Sequence, residues 1–152
     1  MPELTVGDIL GRPRRAREGL VTARPDETVR DAARRMAEHS CGSVLVMGRR
    51  GDALAGIFTE RDLLVRVVAA GLDPARTPVA EVMTADPETI GADAPVRDAV
   101  RRMDEGAFRH LPVVGGDGRV VGVLSVRDVP VLELGRMADE LDNRHRLAER
   151  IW

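Results

Sequence analysis

The chain has 152 residues, of which 43% are hydrophobic and 32% charged, a balance that suits one compact body or two small ones folding together and excludes a disordered chain. A formal charge of −2 gives no global attraction to DNA or acidic membranes, and two Phe, one Trp and no Tyr disfavour an aromatic platform for single-stranded nucleic acid. The single cysteine, Cys41, excludes an internal disulfide and a cysteine-based metal site and fits a reducing compartment.

Taken in chain order, the opening "MPELTVGDIL" lacks the basic start and apolar run of a signal peptide, and no later segment approaches a membrane span. A soluble, cytoplasmic protein with no membrane partner is expected. "GRPRRAREG" then gathers Arg12, Arg14, Arg15 and Arg17 in a loop-like stretch, which reads as a solvated loop or, alternatively, a phosphate-facing patch. "GLVT" (19–22) reads as a short strand. In "VRDAARRMAE" (29–38), Val29, Ala32, Ala33 and Met36 recur at helical spacing with Arg30, Arg34 and Arg35 on the polar side, and Asp26 or Thr28 caps the helix. "SVLVM" (43–47), the turn "GRRGD" and "ALAGIF" (53–58) form a hairpin. "TERDLLVRVVAAG" follows as a helix opened by Thr59 and closed by Gly71.

The segment "GLDPARTPVAEVMTAD" contains two prolines that break any continuous helix, and its "VAEVM" can form one turn. After it the pattern starts again. "PETI" (87–90) reads as a strand, and "VRDAVRRMDE" (96–105) differs from the first helix at two places. "HLPVV" (110–114), "GGDG" and "RVVGVL" (119–124) make the second hairpin, and Pro130 limits the last helix. Met36 and Met103 match as core residues, and Cys41 aligns with Phe108 in a packing role. His39 and His145 are read as surface residues, and Arg30 and Arg97 as solvated helix charges. The tail 134–152 spaces Leu134, Met137, Leu141, Ala148 and Ile151 as an amphipathic helix that caps its own body, packs on a second subunit or waits for another partner.

Each half is thus β-α-β-β-α. The expected boundaries are a first repeat with its N-terminal arm (1–72), a linker with the second repeat (73–133) and the C-terminal helix (134–152). The expected class is α+β, a sandwich-like arrangement of two pseudo-symmetric units packed as one body.

These twin units, the "VRDAxRRM" helices, the "RHLPVV" strand and the paired endings "GIFTERD" and "GVLSVRD" resemble a tandem cystathionine-β-synthase-type (CBS) domain pair, the Bateman module. "TPVAEVMT" is similar to the linker of small bacterial proteins built from one such pair. The resemblance covers nearly the whole chain. It implies a regulatory sensor, not an enzyme, that needs no cofactor and binds AMP, ADP, ATP or S-adenosylmethionine in clefts between the repeats. It further implies a homodimer formed through CBS helices and an effector protein reached in trans.

The residues themselves agree with that chemistry. Asp62 or Asp128 can accept both hydroxyls of a ribose, while Thr59 or Ser125 beside helix N–H groups, with Arg61 or Arg127, can hold phosphate oxygens. The same Thr/Ser-x-x-Asp spacing is also a capping box, and Asp128 alone reads equally as a cap of its own helix. By resemblance, a first cleft combines Thr59, Arg61 and Asp62 with Pro87, Arg109, His110 and Pro112. A second combines Ser125, Arg127 and Asp128 with Val21, Gly42, Ser43 and Leu45. Arg109 and His110 make the first the tighter phosphate site, although His110 also reads as a structural residue at a strand start. No nucleophile–base pair, metal cluster or P-loop is present in the sequence. Two other readings stand beside the sensor: a dimeric interaction scaffold with vestigial clefts, and a nucleic-acid binder acting through Arg12 to Arg17.

Overall fold

The computed structural model describes residues 3–11, 20–48 and 53–130. They group into two compact units, residues 20–48 with 53–88, and residues 3–11 with 89–130. The turn residues 49–52, the arginines of 12–17 and the tail 134–152 lie outside the described residues.

In the first unit the elements are β1 (Thr22–Ala23), a helix (Val29–Glu38), β2 (Ser43–Met47), β3 (Leu54–Thr59), a helical turn (Glu60–Asp62) continued by π-helical residues Leu63–Val68, a 3-10 turn (Val79–Glu81) and β4 (Thr84–Ala85). The sheet order is β1-β2-β3-β4, with β1 parallel to β2 and the other pairs antiparallel. The helix forms where Val29, Ala32 and Met36 put one apolar stripe against the sheet, and all three are buried in a core with Val44, Val46 and Phe58. Of the two expected caps, Thr28 serves: its hydroxyl oxygen accepts the Asp31 N–H at 3.2 Å. Gly71, at φ 75°, ends the later helix in the left-handed region that an L side chain rarely adopts.

The second unit repeats this plan with α1 (Val6–Leu10), β5 (Ile90–Gly91), a helix (Val96–Gly106), β6 (His110–Val114), β7 (Val120–Ser125) and a 3-10 turn (Val126–Asp128). Its described sheet is β5-β6-β7. Ala99, Val100 and Met103 pack with Leu111, Val113 and Leu124. The matched pair Cys41 and Phe108 occupy equivalent places, since the N–H of each donates to the matching methionine carbonyl, Met36 at 3.0 Å and Met103 at 3.1 Å. Both side chains pack against their own unit's core.

Several expected limits shift, and the strand read at 53–58 lies one residue later, at Leu54–Thr59. The strands read at 19–22 and 87–90 begin later and run to Ala23 and Gly91, because their limits follow parallel pairing with β2 and β6. The strand read at 119–124 starts at Val120, since Arg119 is drawn into the turn by a bond from its N–H to Asp117 Oδ1 at 3.0 Å. The helix read from Thr59 has only three α-helical residues before its π-helical turns, where the Ala69 N–H donates to the Leu64 carbonyl at 2.8 Å.

The arm and the linker also group differently from the sequence boundaries. Residues 73–88 pack with the first repeat: Val79 and Val82 enter its core, and the Val29 N–H donates to the Thr77 carbonyl at 2.9 Å. The arm packs with the second repeat in the same way. Val6 and Ile9 are buried in that core, and the Val96 N–H donates to the Leu4 carbonyl at 2.9 Å. The start of each helix, where N–H groups lack intrahelical partners, is therefore completed by a carbonyl remote from its own repeat motif.

Each helix in turn guards an edge strand. Arg35, read as part of a solvated face, donates from Nη1 to the Thr22 carbonyl at 2.9 Å, and its counterpart Arg102 donates to the Thr89 carbonyl at 2.7 Å. Capping these carbonyls blunts an edge that is otherwise open to pairing with another strand. Arg35 also forms an ion pair with Glu27. Burial works to raise the Glu27 carboxyl, but hydrogen bonds from Arg35 and the Arg24 N–H outweigh it and hold the group below its ordinary range.

Candidate functional site

The two Thr/Ser-x-x-Asp endings fold as reciprocal caps. At the end of β3, the Thr59 N–H donates to Asp62 Oδ2 at 2.9 Å, the Thr59 hydroxyl donates to the same oxygen at 3.1 Å, and the Asp62 N–H donates to Thr59 Oγ1 at 3.2 Å. At the end of β7, the Ser125 N–H donates to Asp128 Oδ2 at 2.8 Å and the Arg127 N–H to Ser125 Oγ at 3.3 Å. The local sequence dictates this geometry, because an extended Thr or Ser before a helical turn places its oxygen at the first unsatisfied N–H groups. The capping reading of both motifs is therefore correct as structure. Capping does not exhaust a carboxylate, which offers about four acceptor positions on two oxygens.

Asp62 is buried to 8% exposure, whereas Asp128 is half-buried. The second oxygen of Asp62 has a neighbour that sequence reading passed over: Arg66 Nε stands 3.6 Å from Oδ1. The same guanidinium donates from Nη1 to the carbonyls of Met83 at 2.9 Å and Val82 at 3.3 Å. The spacing of Asp62 and Arg66, four residues on one helix, was a legible signal for the ion pair; backbone carbonyls leave none.

Gly42 and Ser43, and Arg109 and His110, lie beside the cap of their own repeat, whereas the expected clefts combine them with the cap of the other repeat. Ser43 pairs across the sheet with Thr59, the Glu60 N–H donates to the Gly42 carbonyl at 3.0 Å, and the Leu45 N–H donates to the Val21 carbonyl at 3.0 Å. In the second unit His110 pairs with Ser125, and the Val126 N–H donates to the Arg109 carbonyl at 3.0 Å. Gly42–Ser43 and Arg109–His110 thus hold matching places, and the second pair brings two basic side chains where the first brings none. The first unit holds Val21, Gly42, Ser43, Leu45, Thr59, Arg61, Asp62 and Pro87; the second holds Arg109, His110, Pro112, Ser125, Arg127 and Asp128.

Arg61, Arg109 and Arg127 are exposed, Ser43, Leu45, Pro112 and Ser125 are buried, and Val21, Gly42, Thr59, Pro87 and His110 are intermediate. Val21 also lines a groove of about 580 Å³ in the first unit with Leu20, Arg24, Arg35 and His39. Among the described residues, no group of three or more His, Cys, Asp or Glu side chains is placed to hold a metal ion. No helix among them is long and apolar enough to cross a membrane.

Comparison with known proteins places this geometry. The CBS domain family model matches residues 6–69 and 79–129. An uncharacterized protein of Methanopyrus kandleri is 32% identical over 133 residues, covering 88% of this chain and 64% of that protein. A CBS domain-containing protein of Arabidopsis thaliana is 44% identical over 104 residues, covering 67% of this chain and 18% of its own length. The chain therefore spans less than two thirds of each of these relatives. Among solved structures, a CBS domain protein from Pyrobaculum aerophilum complexed with AMP aligns with a TM-score of 0.77 at 27% identity, covering 90% of this chain and 99% of that one. A CBS domain pair in complex with 5′-methylthioadenosine and S-adenosylmethionine aligns with a TM-score of 0.72 at 27% identity, covering 89% of this chain and 99% of that one. The duplicated strand-and-cap units and these matches agree: the chain belongs to the CBS-domain family.

Proposed function

We propose that this protein is a non-catalytic regulatory module that senses an adenosine-containing ligand, AMP, ADP, ATP or S-adenosylmethionine, and acts in trans on a partner protein. The observation that carries the reading is the double occurrence of a capped Asp at the end of a hairpin, Asp62 with Thr59 and Asp128 with Ser125. A carboxylate held this rigidly is pre-organised to accept the two hydroxyls of a ribose. Structural relatives solved with AMP and with S-adenosylmethionine support the same ligand class. In this reading Arg61, Arg109, His110 and Arg127 supply the charge that meets phosphate.

The active form is a homodimer joined through CBS helices. Its support is the apolar face of the helix after β3, where Leu64 is 62% exposed, Val65 56% and Val68 61%, with Leu72 just beyond the helix end 42% exposed, an arrangement that favours contact with protein over water.

The alternative, a dimeric scaffold with vestigial sites, is favoured by one observation: both carboxylates already serve their own caps. Thermal unfolding with each ligand separates the two. The sensor requires a rise in melting temperature on adding one of the four ligands, absent in the Asp62→Ala, Asp128→Ala double variant. A scaffold gives the same curve with and without every ligand.

A further inference from the structure

Arg66 is the one feature of the first cap that neither capping nor ligand chemistry has yet used. Its guanidinium is anchored on backbone: Met83 and Val82 accept from Nη1 at 2.9 and 3.3 Å. That backbone is itself fixed, since Val82 is a core residue and Thr84, the residue after Met83, pairs with Ile57 in the sheet. From this seat Nε faces Asp62 Oδ1 at 3.6 Å, too long for a hydrogen bond but close enough to orient the carboxylate. Arg66 lies within π-helical turns, a local geometry that recurs at functional sites. The place four residues beyond Asp128 in the sequence is Leu132, where the first repeat has Arg66.

On these grounds, and resting on the ligand-sensing reading above, we infer that Arg66 is a positioning residue that links the Asp62 carboxylate to the linker backbone at Val82 and Met83. Ligand binding at Asp62 is thereby coupled to the linker. A diol that accepts a place on Oδ1 draws the carboxylate away from Nε, and the guanidinium answers by adjusting its bonds to the two carbonyls. Coupling of this kind is reciprocal, so the linker arrangement that ligand binding favours in turn raises affinity at Asp62. Arginine suits the role because its rigid fork can face a carboxylate and carbonyls at once, whereas a lysine ammonium keeps the charge without the fork.

The test is two-dimensional NMR of the uniformly 15N-labelled full chain, titrated in parallel with AMP and S-adenosylmethionine, for wild type, Arg66→Met and Arg66→Lys. In the wild type the amides of Thr59, Asp62, Met83 and Thr84 are expected to shift with one common dissociation constant. In Arg66→Met the Thr59 and Asp62 shifts should follow binding weakened about tenfold, those of Met83 and Thr84 should vanish, and the Asp128 response should be unchanged. Arg66→Lys should bind close to wild type yet lose most of the Met83 and Thr84 response, and it decides the matter if the Met variant does not fold. Full linker shifts at wild-type affinity in either variant overturn the inference alone. No shift at Thr59 or Asp62 in the wild type with either compound overturns the sensing reading and the inference together.

Discussion

Thr59 and Asp62 bind each other reciprocally: the Thr59 N–H donates to the Asp62 carboxylate at 2.9 Å, and the Asp62 N–H donates to the Thr59 hydroxyl oxygen at 3.2 Å. The residue pair that closes the strand is thus also the pair that presents a carboxylate, so in the proposed sensor stability and binding share the same atoms. Thr59→Ala removes the acceptor for the Asp62 N–H and should cost about 1 kcal/mol in a chemical denaturation experiment. Thr59→Ser keeps that acceptor and should stay close to wild type. A full loss in both variants would assign the effect to the threonine methyl.

The arm and linker predict a second pattern of stability. Val6 and Val79 lie outside the two helix-and-hairpin repeats, yet both are fully buried. Val79→Ala and Val6→Ala should each destabilise by about 2 kcal/mol, whereas Leu64→Ala on the exposed helix face should fall within about 0.5 kcal/mol of wild type in the monomer. Denaturation midpoints check this directly. Equal small effects at all three sites would mean that the arm and linker contribute little to the cores.

The local cap and the buried arm and linker divide what was legible in the sequence from what was not. The helix at Val29–Glu38 and the strands Ser43–Met47 and His110–Val114 were read at their observed limits, because apolar periodicity is a property of the segment itself. The Thr59–Asp62 cap was legible for the same reason: both partners lie within one turn. The two-residue strands Thr22–Ala23 and Ile90–Gly91 were misplaced because a short parallel strand takes its limits from its partner. The packing of Val6 and Val79, and the bonds from Arg66 to Val82 and Met83, join residues distant in sequence through backbone carbonyls that carry no residue signature.

Gly56 gives a third test, this time of close approach. A Cβ built there would come within 2.7 Å of the Thr84 carbonyl oxygen and would strike the Met83 sulfur. Gly56→Ala should therefore push β4 from β3 and destabilise by about 1–3 kcal/mol. Gly116→Ala meets nothing within 4 Å and should be tolerated. Similar denaturation midpoints for the two variants would show that β4 yields at no cost.

The Glu27–Arg35 pair predicts an acid-side pH dependence. Glu27 is held below its ordinary value of 4.5 in the folded state, so its contribution is present above that value and is lost as pH falls through the lower folded value. Melting temperature measured across the acid range should drop less steeply for Glu27→Gln than for wild type. Parallel curves would show that the pair does not contribute to folding.

In the proposed sensor Asp62 and Asp128 are ligand carboxylates as well as caps. Isothermal titration of the purified protein with AMP, ADP, ATP and S-adenosylmethionine, with the mass of the free and liganded forms measured alongside, tests it most directly. At least one of the four should bind saturably to a dimer, and that binding should be lost in the Asp62→Ala, Asp128→Ala double variant while the fold persists. Absence of heat from all four at high concentration, or undiminished binding in the double variant, would contradict it.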